Sequence, residues 1–137
     1  MQPVVLIYHM NEQKASAISA LCSTMKIRAA VVLPGQEMVP VGLLTGAEDP
    51  VNIVREAAKR AEKSKDAAMG ELDEEMIVMS GFTEKTLRLF LDSIRQNGLP
   101  VSLKAVETDE NRFWSGRMLS QELKKERQAI QGGRQRI

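Results

Sequence analysis

Four residues near the end of an apolar run have side chains that could bind an anion together. Lys104 is placed at the C-terminal end of the predicted strand 101–106, and Thr108, Asn111 and Trp114 follow it. Free backbone N–H groups at the start of a helix attract anions, and a nearby lysine adds a positive charge. The asparagine and the tryptophan could then orient the ligand. This spacing predicts a small anion-binding corner.

The same residues also fit a purely structural role. Thr108 or Asp109 could cap the following helix, and Asn111 could close that cap three residues later. Trp114 would then belong to the core, and Lys104 would be solvated with its stem packed on the helix. Three carboxylates would also repel an anion from this corner: Glu107, Asp109 and Glu110. The sequence favours the structural role and leaves the binding role open.

Three further residues would join the corner if the sheet is parallel, because they follow other predicted strands: His9, Ser80 and Gly81. His9 is the only histidine, and Cys22 lies about three helical turns away with its thiol toward the core, which disfavours a nucleophilic pair. One histidine and one cysteine in separate elements do not make a metal site. No glycine pattern matches a phosphate loop. We expect no catalytic residue, no metal and no cofactor.

Two charged runs also fit structural roles better than binding sites. The acidic run could attract Mg²⁺ or Ca²⁺ but lacks the spacing of a calcium loop, so a solvated linker is favoured: Glu71, Asp73, Glu74 and Glu75. The basic residues near the C-terminus could touch nucleic acid phosphates: Lys124, Lys125, Arg127, Arg134 and Arg136. They have no interleaved aromatic residues for base stacking, so nucleic-acid binding is disfavoured.

The chain repeats itself loosely at an offset of 72, which is the separation of Val4 from Met76. The segment 4–7 matches 76–79, and 10–12 matches 82–84. The match continues with Ile27 over Leu99 and Val31 over Leu103. We predict a single domain, 1–137, built from two units and a flexible tail: 1–70, 75–131 and 132–137.

The pattern of apolar residues places four strands and four helices on this repeat. The predicted strands are 4–8, 27–33, 76–79 and 101–106. Helices are predicted after Asn11, Asp49 and Thr83, with a last helix from Thr108 or Asp109 to Gly132-Gly133. The segment 39–44 is either a helical turn or an edge strand. Strands joined through helices favour a four-stranded, mainly parallel α/β sheet of two βαβα units, with a ferredoxin-like α+β fold as the alternative.

At the offset of 72, the residues of the corner have different counterparts in the first unit. Lys104, Thr108, Asn111 and Trp114 match Val32, Gln36, Val39 and Gly42. The fold alone therefore does not require the residues of the corner.

The second unit also resembles a known family. The segment 76–130 contains Gly81-Phe82-Thr83-Glu84, then Lys104-Ala105-Val106, Thr108, Asn111 and Trp114. These residues at this spacing resemble the signature of the bacterial family numbered 3783 among domains of unknown function. The resemblance implies a bacterial source and points to 104–114. It implies no activity, because the family is uncharacterised.

Composition excludes several classes of function. The chain has 137 residues, of which 43% are hydrophobic, and a net charge of +1 from 19 basic and 18 acidic residues. Such a balanced charge favours neither nucleic acid nor membrane surfaces. The apolar runs are far shorter than the roughly 20 residues of a membrane span, the N-terminus lacks signal-peptide features, and one cysteine permits no internal disulfide. We therefore expect a cytoplasmic, non-catalytic interaction module that binds a protein partner or a second copy. A sensor of small anionic ligands is the alternative.

Overall fold

The computed structural model describes residues 2–46, 49–64 and 72–135, and of residues 61–64 and 131–135 it describes the backbone. Four strands form one sheet: β1 (Val4–Tyr8), β2 (Arg28–Val32), β3 (Met76–Ser80) and β4 (Leu103–Val106). Their order across the sheet is β2-β1-β3-β4. β1 pairs with β2 and β3 pairs with β4 in parallel, whereas the central pair of β1 and β3 is antiparallel. The prediction of a mainly parallel α/β sheet is confirmed, and the two parallel pairs rule out the ferredoxin-like alternative.

Helices cover both faces of this sheet. They are α1 (Glu12–Thr24), α2 (Val41–Thr45), α3 (Pro50–Ser64), α4 (Glu84–Gln96) and α5 (Gly116–Gln135). α1 and α4 pack on the face formed by Val5, Ile7 and Ile77. α2 and α5 pack on the opposite face with Leu6 and Val78, and α3 packs on α2. None of the helices in the described ranges is long and apolar enough to cross a membrane.

Side-chain caps explain where the helices begin. The Oδ1 atom of Asn11 accepts a hydrogen bond from the Lys14 N–H at 2.8 Å, and Thr83 Oγ1 accepts one from the Thr86 N–H at 3.1 Å. Asp49 Oδ1 does the same for Asn52 at the start of α3. Such oxygens satisfy N–H groups that the first helical turn leaves unpaired. The three helix starts predicted from Asn11, Asp49 and Thr83 are confirmed.

The internal repeat is visible in the backbone. α1 begins at Glu12 and ends at Thr24, and adding 72 to both positions gives the bounds of α4. His9 and Gly81 follow the first strand of each unit with φ of 52° and 76°. Lys26 and Gly98, which follow the helices, have φ of 60° and 66°. The two units therefore make the same left-handed turns, although glycine, which adopts them at little cost, is present only in the second.

The offset changes after Leu99. Val4 pairs with Arg28 in the first unit, but its counterpart Met76 pairs with Leu103. The second unit therefore has three extra residues, 100–102, and the offset from there on is 75. The predicted counterparts of Lys104, Thr108, Asn111 and Trp114 are wrong, and the structural counterparts are Ala29, Leu33, Gln36 and Val39.

With the offset of 75, the loops after β2 and β4 also match. Gln36 Oε1 accepts a hydrogen bond from the Leu33 N–H at 3.0 Å, and Asn111 Oδ1 accepts one from the Thr108 N–H at 2.8 Å. Pro40 and Ser115, which are 75 residues apart, pair with each other in an isolated antiparallel bridge. α2 and α5 begin one residue after these two positions. The second helix of each unit thus starts from equivalent backbone.

Of the two alternatives for 39–44, the structure has the helical turn, which is α2 at Val41–Thr45. Several predicted boundaries are wrong, and β4 begins at Leu103 rather than at 101. The last helix begins at Gly116, because a 3₁₀ turn at Asn111–Phe113 and an extended Trp114 (φ −86°, ψ 147°) precede it. The backbone of α5 continues through Gly132-Gly133 to Gln135. Residues 65–71 of the predicted linker and 136–137 of the predicted tail lie outside the described residues.

Candidate functional site

Thr108 and Asn111 use their side chains within their own turn. Thr108 Oγ1 accepts hydrogen bonds from the N–H groups of Asn111 at 3.0 Å and Glu110 at 3.3 Å. The amide of Asn111, a buried residue, accepts from the Thr108 N–H and donates to the Val106 carbonyl at 3.0 Å. These bonds hold the chain as it leaves β4. They account for Thr108 and Asn111 without a ligand.

Lys104 and Trp114 lie on opposite faces of the sheet. Trp114 is half-buried and packs on the core beneath α2 and α5. Lys104 is the second residue of β4, and because its neighbours Leu103 and Ala105 join that same core, its side chain leaves from the α4 face. Its Nζ donates to the Val101 carbonyl at 3.1 Å. The expected corner of Lys104, Thr108, Asn111 and Trp114 is therefore not assembled.

His9 lies at the other end of the sheet from Ser80 and Gly81. The antiparallel register pairs Tyr8 with Met76 and Val4 with Ser80. His9 follows Tyr8, so it lies beside the start of β3, whereas Ser80 and Gly81 lie at its end. The expectation that these three residues share one edge is wrong, because it required β1 and β3 to be parallel.

A polar cluster at the end of β3 and β4 was missed by the sequence analysis. The Glu107 carboxylate accepts hydrogen bonds from Ser80 Oγ at 2.7 Å and from Thr45 Oγ1 at 2.8 Å. Glu107 continues the inward alternation of Leu103 and Ala105, which is the signal that could have placed it beneath α2. Two hydroxyl groups donate hydrogen bonds to this carboxylate. Because Thr45 belongs to α2, the cluster holds α2 against the sheet.

Two other ionisable groups lie in the core. The Tyr8 hydroxyl is fully buried and has no hydrogen-bond partner among the described residues, and burial raises the pKa of Tyr8 well above its ordinary value, with a smaller contribution from Glu107. Burial also raises the pKa of the Cys22 thiol to about 11. A buried protonated phenol and a buried protonated thiol offer no nucleophile to a substrate in water.

The charged runs pair with each other instead of forming a separate site. Asp73 and Glu74 lie beside Lys124 and Arg127, and Glu75 accepts a hydrogen bond from Lys14 Nζ at 2.6 Å. The Lys124 ammonium lowers the pKa of the Asp73 carboxyl. Within the described ranges, no three histidine, cysteine, aspartate or glutamate side chains come together as metal ligands. Glu71 and Arg136 lie outside those ranges.

The open edge of β2 has exposed apolar side chains. We call residues 28–33 the β2 edge. The Arg28 N–H bonds to the Pro3 carbonyl, so the alternation of a strand turns the main-chain groups of Ala29 and Val31 away from β1. No described strand pairs with them. Val31 and Leu33 are 52% and 59% exposed. Between Arg28 and Leu33 this edge has no charged residue.

The opposite edge, at β4, has a lysine at a position where β2 has an alanine. Leu103 and Glu107 bond to β3, so Lys104 and Val106 turn their main-chain groups outward. Val106 is 43% exposed and corresponds to Val31, whereas Lys104 corresponds to Ala29. A lysine on an edge strand opposes pairing with another copy of the same strand. The two edges are thus alike in backbone, and they differ in the position of their basic residue, which is Arg28 on β2 and Lys104 on β4.

A comparison with known protein families finds a match in the second unit of the chain. Residues 75–130 match the family model described as Domain of unknown function (DUF3783). This confirms the resemblance predicted from the residues between Gly81 and Trp114. No curated protein and no solved structure matches the chain.

Proposed function

We propose that this protein is a non-catalytic interaction module that forms a homodimer by pairing β2 with β2 of a second copy. The observation that carries the proposal is the difference between the two sheet edges: β4 has Lys104 where β2 has Ala29. Between Arg28 and Leu33 the β2 edge has no charged residue and no proline, and such an uncovered stretch of edge strand is a template for another strand. Dimers with twofold symmetry are the commonest oligomers, so a second copy is the partner we propose.

An antiparallel pairing centred on Ala30 fits the outward groups of this edge. Ala29 of one copy would lie opposite Val31 of the other, and each such pair would exchange two main-chain hydrogen bonds. Arg28 would lie opposite Val32, so the pairing places no like charges directly across from each other. Apolar surface at Val31 and Leu33 would be removed from water in both copies.

The chemistry of the polar groups supports a role without catalysis. Glu107 is satisfied by Ser80 and Thr45, and Asn111 is satisfied within its own turn. Tyr8 and Cys22 are buried and protonated at neutral pH. None of these groups combines access to solvent with a partner that could move a proton.

Cross-linking at the centre of the proposed pairing tests both the edge and the register. In an antiparallel pairing centred on Ala30, the two Ala30 Cα atoms form a non-hydrogen-bonded pair about 4.5 Å apart, within the range of a disulfide. We expect the Ala30→Cys variant to form a covalent dimer under mild oxidation, seen on non-reducing gels. The wild type should not, because Cys22 is buried and its thiol has a raised pKa.

The Ala105→Cys variant is the matched control, because Ala105 occupies the position on β4 that Ala30 occupies on β2. It should stay monomeric on the same gels. Equal cross-linking of the two variants, or none in Ala30→Cys at concentrations where the protein is dimeric, would contradict the proposed register.

A further inference from the structure

We infer that the β4 edge binds an extended segment of a partner protein in which apolar and acidic residues alternate. The inference does not depend on pairing through β2, because the two edges lie on opposite sides of the sheet. It rests on three observations at β4: outward main-chain groups, a groove on each face of the strand, and positive charge on one face.

The main chain of β4 can accept another strand. Lys104 and Val106 direct their N–H and C=O groups away from β3, and no described strand pairs with them. An extended peptide added to such an edge gains main-chain hydrogen bonds, and its side chains fall alternately on the two faces. Recognition of particular residues then depends on the grooves and the charges on each face of the sheet.

Each face of β4 has a groove, and Lys104 lines both. The groove on the α4 side has a volume of about 540 Å³ and an apolar floor that includes Leu91, Ile94 and Val101. The groove on the α5 side is lined by Leu103, Leu123 and Ile130, together with Ser102, Glu126 and Arg127. Ile130 is 58% exposed there. Both grooves lie where side chains of an added strand would project.

The three residues inserted in the second unit help to form these grooves. Pro100 and Val101 line the groove on the α4 side, and Ser102 lines the groove on the α5 side. The first unit passes directly from Ile27 to Arg28 at this point. The insertion therefore supplies residues to the β4 grooves that have no counterpart in the first unit.

The charge on the α4 side selects an acidic segment. Lys104 and Arg95 are the only charged residues that line this groove among the described residues. Arg95 pairs with Asp92, whereas Lys104 Nζ donates to the Val101 carbonyl and to no other group in the described ranges. A glutamate on an added strand could pack its methylene groups on the apolar floor and place its carboxylate beside Lys104. On the α5 side, apolar residues of the segment would meet Leu123 and Ile130.

The same lysine excludes a second copy of β4. Pairing two β4 strands would bring two Lys104 ammonium groups into one short interface, and like charges placed together in an interface disfavour it. An acidic segment has the opposite effect. Lys104 therefore makes this edge select a different partner from the one proposed for β2.

Two fluorescein-labelled peptides of opposite charge test the inference by fluorescence anisotropy. The acidic probe is acetyl-Ser-Leu-Glu-Leu-Glu-Leu-Ser-amide, and the basic probe has lysine at both glutamate positions. We expect the wild type to prefer the acidic probe. Lys104→Glu should weaken acidic binding by about tenfold, since it replaces an ion pair with a repulsion, and should reverse the preference.

Lys85→Glu is the matched control, because it makes the same change of charge at an exposed lysine that lines neither groove. It should leave binding of the acidic probe unchanged, and circular dichroism checks that both variants are folded. Three results would each overturn the inference: no saturable binding of the acidic probe up to about 1 mM, no dependence on Lys104, or an equal loss of binding in Lys85→Glu. None of these results bears on dimerisation through β2.

Discussion

The Val31→Lys variant should be monomeric at concentrations where the wild type is a dimer. Val31 is half exposed on the free chain and directs its main-chain groups outward, so in the proposed dimer it lies next to Ala30, the centre of the pairing. A lysine there would bring an unpaired ammonium group into that interface in both copies. Such a buried, unpaired charge costs several kcal/mol, which corresponds to a dimer at least about 100-fold weaker.

Sedimentation velocity over a range of concentrations measures this effect. Val106→Lys is the matched control, because Val106 is the equivalent residue on β4 and has a similar exposure of 43%. It should sediment like the wild type. If Val106→Lys dissociates the dimer and Val31→Lys does not, the wrong edge has been assigned; if neither does, the dimer uses another surface.

The second large effect is expected at the start of α5. A Cβ atom at Gly116 would lie 2.4 Å from Cε1 of Tyr8 and 3.0 Å from its Cζ. The Tyr8 ring is fully buried, so it has no free space to enter. Because overpacking a tight core is costly, Gly116→Ala should lower the free energy of unfolding by about 2 kcal/mol or more, despite the better helix propensity of alanine.

Chemical denaturation of purified variants gives this value. Gly35→Ala is the control, because a Cβ at Gly35 meets nothing within 4 Å, and its stability should stay within about 0.5 kcal/mol of the wild type. Tyr8→Leu in the Gly116→Ala background should recover part of the loss, since it removes the ring that the methyl group contacts. Equal stabilities of Gly116→Ala and Gly35→Ala would show that Tyr8 does not pack against α5 as described.

The sequence allowed the fold class to be predicted because the repeat recurs in local signals. Asn11 and Thr83 cap helices of equal length, and the turns at Lys26 and Gly98 end them in the same conformation. These signals depend on residues close in sequence. They specify a strand, a helix and a second strand in each unit, which is sufficient to predict two parallel pairs.

The direction in which the two units pair was not predictable from the same signals. β1 and β3 are both buried on both faces, and a fully apolar strand accepts a parallel or an antiparallel neighbour equally well. The antiparallel choice places His9 and Ser80 at opposite ends of the sheet. The predicted grouping of these residues failed for this reason.

The predicted anion corner is not assembled because the second unit has three inserted residues before β4. The insertion at 100–102 moves the start of β4, so Lys104 lies near the beginning of the strand on the α4 face, away from Asn111 and Trp114. An offset read from apolar residues alone passes over such an insertion, because Leu103 still matches an apolar position. Glu107 was missed because its partners Thr45 and Ser80 are distant in sequence.

Amide hydrogen exchange at concentrations where the wild type is a dimer tests most directly whether β2 is the pairing edge. On an unpaired edge, the outward N–H groups of Ala29 and Val31 are open to water and exchange quickly. We predict that both become protected in the dimer, while those of Lys104 and Val106, measured in the same sample, exchange quickly. Fast exchange at Ala29 and Val31 in a dimer, or protection at Lys104 and Val106 instead, would contradict pairing through β2.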